Sequence, residues 1–355
     1  MAPSSSVPGK LKKKKSSHNK RAMPVPPTSV PSAPASRTIR VSTGPQHLRL
    51  HLALSLLTHR PLIVRNIRPD DMSCPGLHAH EVSYLRLLDR LTNGSLVDIN
   101  GTGTELRFRP GVLVGGECEH ECPLPAAGQE EGSGRGVGWY LEGLLPLLPF
   151  TKNPTKLTLT GITDQGLLPE GTEGRRPVSR GDPSVDYLRA ACLPVLMAFG
   201  VDGSEAGLGA VPAPGDDSKN PAAPSLTVLR RGASPGGGGA VLLSCHPVRI
   251  SLRSGVDLSA AAKIKRVRGT VASCRLPPAS ASRAASVAKG AALRLLPDVW
   301  IHTDVCRGGA TEDGKGCGPS PGISCALVAE REDGGVYVAE FMRDPAARRR
   351  SENGG

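Results

Sequence analysis

The sequence predicts an α+β (α/β) protein made of repeated βα units and followed by a smaller α/β module. Three observations predict it. A helix, strand, loop, helix and strand pair follow one another from about Ile39 to Pro110, and the same order recurs from Val137 to Leu243. The second helix of each copy carries the same tripeptide, Tyr84-Leu85-Arg86 and Tyr187-Leu188-Arg189. Beyond Pro247 the composition changes, and a strand alternating basic with apolar residues opens a segment of different order.

Composition bounds the partners. At 355 residues with a net charge of +12, the chain has room for two domains and favours an acidic partner, of which nucleic acid is the commonest. Aromatics make up only 3%, too few for a binder that stacks base after base, so recognition through phosphates is expected. No apolar run reaches the ~18 residues of a membrane span, and no signal peptide opens the chain. Nine cysteines without a regular framework fit reduced thiols of a cytosolic or nuclear compartment.

Taken in order, residues 1–38 are Pro/Ser-rich, carry Lys10, Lys12, Lys13, Lys14, Lys15, Lys20 and Arg21, and read as a disordered basic tail. A helix over Leu48–Leu57 is stopped by Pro61 before a strand over Leu62–Ile67. A second helix spans about Leu77 to Leu91. Asn93-Gly94 then turns the chain into a strand pair, Leu96–Ile99 and Glu105–Phe108. The second copy has helices over Val137–Leu148 and Val185–Phe199, and strands over Lys156–Thr160, Leu226–Leu229 and Ala240–Leu243. Gly/Pro/Glu-rich stretches near 125–136, 165–181 and 202–224 are surface insertions. The closing module has a strand from Lys263 to Gly269, a helix over Ser280–Leu296 and strands near 298–303, 323–330 and 336–341. A polar tail, 343–355, follows.

Between two of these strands lies Arg230-Arg231-Gly232-Ala233-Ser234-Pro235-Gly236-Gly237-Gly238-Gly239. Such a density of glycine implies left-handed backbone or the close approach of a neighbour or ligand. Beside two arginines that ligand would be an anion, although a tight hairpin with solvated arginines fits equally. The spacing is not that of a Walker loop.

The candidate phosphate contacts are Arg49, Arg65, Arg68, Arg230, Arg231, Lys263, Lys265, Arg266 and Arg268, acting collectively through counterion release. Cys118, His120 and Cys122 would share a face of an extended segment, but they lack a fourth ligand, and no metal is expected there. His78 and His80 do not share a helical face, and Asp70-Asp71 and Asp182/Asp186 sit where loop and capping roles suffice, so no catalytic residue is assigned.

Several stretches together resemble the RNA 3'-terminal phosphate cyclase superfamily and, within it, the nucleolar cyclase-like branch. They are Gly44-Pro45-Gln46-His47-Leu48-Arg49, Arg65-Asn66-Ile67-Arg68, Cys74-Pro75-Gly76-Leu77, Thr92-Asn93-Gly94-Ser95, Phe108-Arg109-Pro110-Gly111, Gly115-Gly116, Asp182-Pro183-Ser184-Val185-Asp186 and Arg230 through Gly239. Each is weak alone, but they run in order from about residue 40 to 342. The resemblance implies a large domain, residues 39–262, of repeated βα units, each with a four-stranded sheet and two helices. It also implies a small α/β insert domain, 263–342, interrupting an incomplete third repeat, and hence a C-terminally truncated chain.

In such cyclases a histidine near the C-terminus carries AMP and an acidic residue precedes a Gly-Gly-Gly-Gln turn. This chain has Ser42-Thr43-Gly44-Pro45-Gln46 and no residue at the histidine's place, which implies a non-cyclase with no cofactor. The implied role is that of a catalytically silent scaffold in nucleolar pre-rRNA processing and small (40S) ribosomal subunit maturation. Its implied partners are pre-rRNA and a nucleolar GTPase of the small-subunit processome, with no membrane. A pre-rRNA endoribonuclease is the alternative, and an ATP-dependent cyclase comes third.

Overall fold

The computed structural model describes residues 38–72, 74–124, 134–164, 182–203, 223–249, 251–308 and 316–343. The basic N-terminal tail, the C-terminal tail and nearly all of the three expected insertions lie outside the described residues.

The first unit runs β1 (Ile39–Val41), α1 (Leu48–Thr58), β2 (Leu62–Val64), α2 (Ala79–Leu91), β3 (Thr92–Asn93), β4 (Leu96–Ile99), β5 (Leu106–Arg109) and β6 (Val112–Leu113). Leu48, Leu52 and Leu56 recur every four residues along α1 and are all buried, so this stripe fixes the helix's inner face. Leu50, Leu54 and Leu57, on the other side, remain exposed. Glu81, in the first turn of α2, accepts the backbone N–H of His78 at 2.8 Å and satisfies one of the helix's free donors. The strand expected to reach Ile67 ends at Val64 because Asn66 (φ 59°) and Arg68 (φ 39°) turn left-handed. Asn66 lies so close to Gly44 that a Cβ there would sit 2.8 Å from its carbonyl oxygen.

The second unit runs β7 (Glu117–Glu121), α3 (Val137–Leu144), β8 (Thr155–Gly161), α4 (Val185–Tyr187), a π-helical turn (Leu188–Cys192), α5 (Leu193–Ala198), β9 (Ser225–Arg230) and β10 (Gly239–Cys245). The single helix expected over 185–199 is thus broken by a wide turn. Pro194 has no N–H to give to the carbonyl four residues back, which favours irregular pairing at that point.

The expected duplication is visible in the sheets. Their orders are β1-β2-β5-β4 and β7-β8-β10-β9, each with its first pair parallel and its other two pairs antiparallel. One apolar core joins both units through Leu52, Leu88, Phe108, Tyr140, Leu159 and Leu243.

The third sheet differs. Its elements are β11 (Ile264–Cys274), α6 (Pro278–Leu293), β12 (Val299–Cys306), β13 (Gly322–Arg331) and β14 (Val336–Arg343), in the order β12-β11-β13-β14. Its first strand is central, so it is a different module and not another copy. The module is α/β, as expected, with β11 longer than the basic stretch alone suggested. No helix among the described residues is long and apolar enough to cross a membrane.

Candidate nucleic-acid interface

The nine cations expected at phosphates fall into two groups. Arg49, Arg68 and Arg231 are engaged inside the fold. From α1, Arg49 forms an ion pair with Glu142 at 2.9 Å, donates to the Trp139 carbonyl and stacks 4.5 Å above the Trp139 ring, tying α1 to α3. Arg68 donates to the Gly76 carbonyl at 2.9 Å and pairs with Glu81, closing the loop onto the start of α2.

Arg231 corrects the expectation most clearly. It is 3% exposed, and its guanidinium meets Asp186 at 2.7 Å, Asp304 at 2.7 Å and Asp164 at 3.3 Å. Burial alone would disfavour its charge, but the three carboxylates outweigh burial and hold its pKa above the ordinary arginine range. Asp164 also accepts the hydroxyls of Thr163 and Ser324, both at 2.8 Å. Asp304 and Ser324 belong to the third sheet and Asp164 and Asp186 to the second unit, so Arg231 joins the two by ion pairs.

The glycine-rich segment is the loop from β9 to β10, and it serves the same junction. Gly237 (φ 59°) and Gly238 (φ 75°) are left-handed, and a Cβ on Gly318 would lie 1.7 Å from the Gly237 carbonyl oxygen. Gly318 donates its N–H to Arg231 O at 2.8 Å, and Gly236 donates to the Ser320 hydroxyl at 2.9 Å. Of the alternatives the sequence left open, close approach of the chain to itself explains these glycines.

Asp182 and the cysteine-histidine stretch are also structural. Asp182 accepts Gly136 N–H at 2.7 Å and Arg135 at 3.1 Å, and burial, working against these two partners, raises its pKa. His120 faces inward from β7 and shares a 2.8 Å hydrogen bond with Ser83 on α2, and burial lowers its pKa. No three or more His, Cys, Asp or Glu side chains are arranged to hold a metal ion among the described residues.

Arg65, Arg230, Lys263, Lys265, Arg266 and Arg268 lie nearer the surface. Arg65 keeps 59% of its side chain exposed beside Glu105 at 3.3 Å, while Arg230 is exposed at the end of β9. The other four occupy the start of β11 and the residue before it. Arg266 pairs with Glu330 at 2.7 Å and Arg268 with Asp298 at 2.8 Å, whereas Lys263 and Lys265 are exposed with no salt bridge among the described residues. This cationic strand is the one place where the expected residues stand together and face solvent. Sequence reasoning missed Asp164 and Asp304 as functional partners because nothing near them in the chain marks them as carboxylates of a shared site.

The sequence profile of RNA 3'-terminal phosphate cyclase matches residues 41–213, and that of the insert domain of the same family matches residues 260–354. Similar proteins include the RNA 3'-terminal phosphate cyclase-like protein of Mus musculus, 40% identical over 85% of this chain and 68% of that one. The rRNA processing protein rcl1 of Schizosaccharomyces pombe is 37% identical over 84% of this chain and 68% of its own length. The rRNA processing protein RCL1 of Saccharomyces cerevisiae is 31% identical over 88% and 71% respectively.

Proposed function

The chain belongs to the RNA 3'-terminal phosphate cyclase family, as one of its cyclase-like members, and from that premise we propose that it acts in rRNA processing as an RNA-binding scaffold and not as a cyclase. Two similar proteins carry the name rRNA processing protein, which supports the process and a nuclear, nucleolar setting. Maturation of the small ribosomal subunit, with pre-rRNA and a nucleolar GTPase as partners, is the finer form of the same proposal.

One observation carries the scaffold reading. Arg231, beside the glycine-rich loop where an anion would be expected, is closed over by Asp164, Asp186 and Asp304. A phosphate brought there would meet three carboxylates in a buried space, where like charges repel strongly. Cations of the expected set cluster instead at the start of β11, where Lys263 and Lys265 are exposed beside half-buried Arg266 and Arg268, along a strand suited to the backbone of an RNA.

Incubation of the protein with a pre-rRNA fragment and labelled ATP tests this. Intact RNA retained on the protein, without covalent label, is expected. Label that survives denaturation would overturn the reading in favour of a cyclase. Cleavage of the fragment at a defined site, abolished by a point substitution, would overturn it in favour of an endoribonuclease.

A further inference from the structure

The two tryptophans have opposite fates. Trp139 is 8% exposed and packs edge-on against His80, Tyr84 and Tyr140, whereas Trp300 on β12 is 65% exposed. A lone apolar residue on a surface is ordinary and signals nothing. What sets Trp300 apart is its company.

Strands β11 and β12 are parallel, with Arg268 opposite Trp300, Thr270 opposite His302 and Ala272 opposite Asp304. Opposed residues of paired strands point to one side, and alternate residues along a strand share that side. The face therefore reads Trp300, His302, Asp304 along β12, about 3.3 Å per residue. At its inner end Asp304 holds Arg231 and anchors the sheet. Toward the outer end Arg268 is held in place by two hydrogen bonds to Asp298, at 2.8 and 3.1 Å, next to Trp300. Arg266 follows on β11, steadied by Glu330; beyond it a register shift against β13, between Ile264 and Arg266, breaks the strict alternation, and exposed Lys265 and Lys263 lie at that irregular end of the strand. β12 is an edge strand, and the indole is open to solvent.

We propose that Trp300 is a stacking platform for a nucleobase of single-stranded RNA whose phosphates follow Lys263, Lys265, Arg266 and Arg268. The inference rests on the RNA-binding reading above and deepens it. Stacking accepts any base, and a row of cations beside one aromatic ring supplies both elements such a site needs. The surroundings favour RNA over a protein partner. Arg266 and Arg268 are paired with Glu330 and Asp298 while Lys263 and Lys265 carry no salt bridge among the described residues, and Trp300's neighbours along β12 on this face are polar. The low aromatic content of the chain limits the site to one base, not a series.

The test compares binding of a short single-stranded oligoribonucleotide with binding of inorganic polyphosphate, which has charge but no bases. Trp300→Ala is expected to weaken oligoribonucleotide binding about 5- to 100-fold, the fold-change of ~1–3 kcal/mol per stacked base. Polyphosphate affinity should not change, Trp300→Phe should recover most of the loss, and RNA should quench tryptophan emission of the wild-type protein. The inference is overturned if Trp300→Ala binds the oligoribonucleotide as tightly as wild type, or loses RNA and polyphosphate together. It is equally overturned if an acidic peptide, and not RNA, shields Trp300 from acrylamide. A wild-type chain that binds neither polyanion would sink the RNA-binding reading and this inference with it.

Discussion

At the scale of single residues, Arg230 and Arg231 are adjacent and chemically identical, yet one is exposed and the other 3% exposed among three carboxylates. Replacing Arg231 by Met should therefore destabilise the protein by about 3–5 kcal/mol, because Asp164 and Asp186 would remain buried without their counter-charge. Arg230→Ala should change stability by less than about 0.5 kcal/mol, as surface substitutions usually do. Urea denaturation of both variants checks this, and an Arg231→Met protein as stable as wild type would mean that the arginine answers to a ligand. The sequence alone made the pair look equivalent. Arg230 ends β9 whereas Arg231 opens the loop that follows, and Arg231's partners come from positions 164, 186 and 304, far away along the chain. No local pattern marks such a cluster.

At the scale of elements, most boundaries were legible because they depend on nearby chemistry. The leucine period of α1, the turn at Asn93-Gly94 and the β-branched and leucine-rich runs of β8 and β10 are all local signals. Four strands were not recognised as sheet elements: the two-residue pair β3 and β6, and β1 and β7. β1 has three residues, and β7 reads Glu-Cys-Glu-His-Glu, polar at nearly every position. Only its pairing with β8, which turns Cys118 and His120 toward Leu157 and Leu159, makes it a strand. The glycines divide in the same way. Gly318→Ala should destabilise by about 1–3 kcal/mol, since its Cβ would fall 1.7 Å from a backbone oxygen of the facing loop. Gly290→Ala, in the interior of α6 with no atom within 4 Å, should stabilise by about 0.5–1 kcal/mol through helix propensity. Denaturation midpoints of the two variants should move in opposite directions, and a common shift would contradict the packing assigned to Gly318.

At the scale of the whole molecule, the net charge of +12 does not by itself locate a binding surface, because the structure commits many of these cations to carboxylates. A cation already paired inside the protein has no counterion to release when RNA arrives, so it should contribute little to the salt dependence of binding. Lys263 and Lys265 carry no such pair among the described residues and stand at the open start of β11. Their joint replacement by Ala should lower the slope of log affinity against log salt by about 1.4, at ~0.7 for each phosphate contact with a single strand. Trp300→Ala should weaken binding without changing that slope, since stacking releases no ions. Anisotropy titrations over a range of potassium chloride concentrations separate the two contributions. If the double lysine variant kept the wild-type slope, the polyanion would have to bind elsewhere, with Arg65 and Arg230 the remaining exposed cations of the expected set.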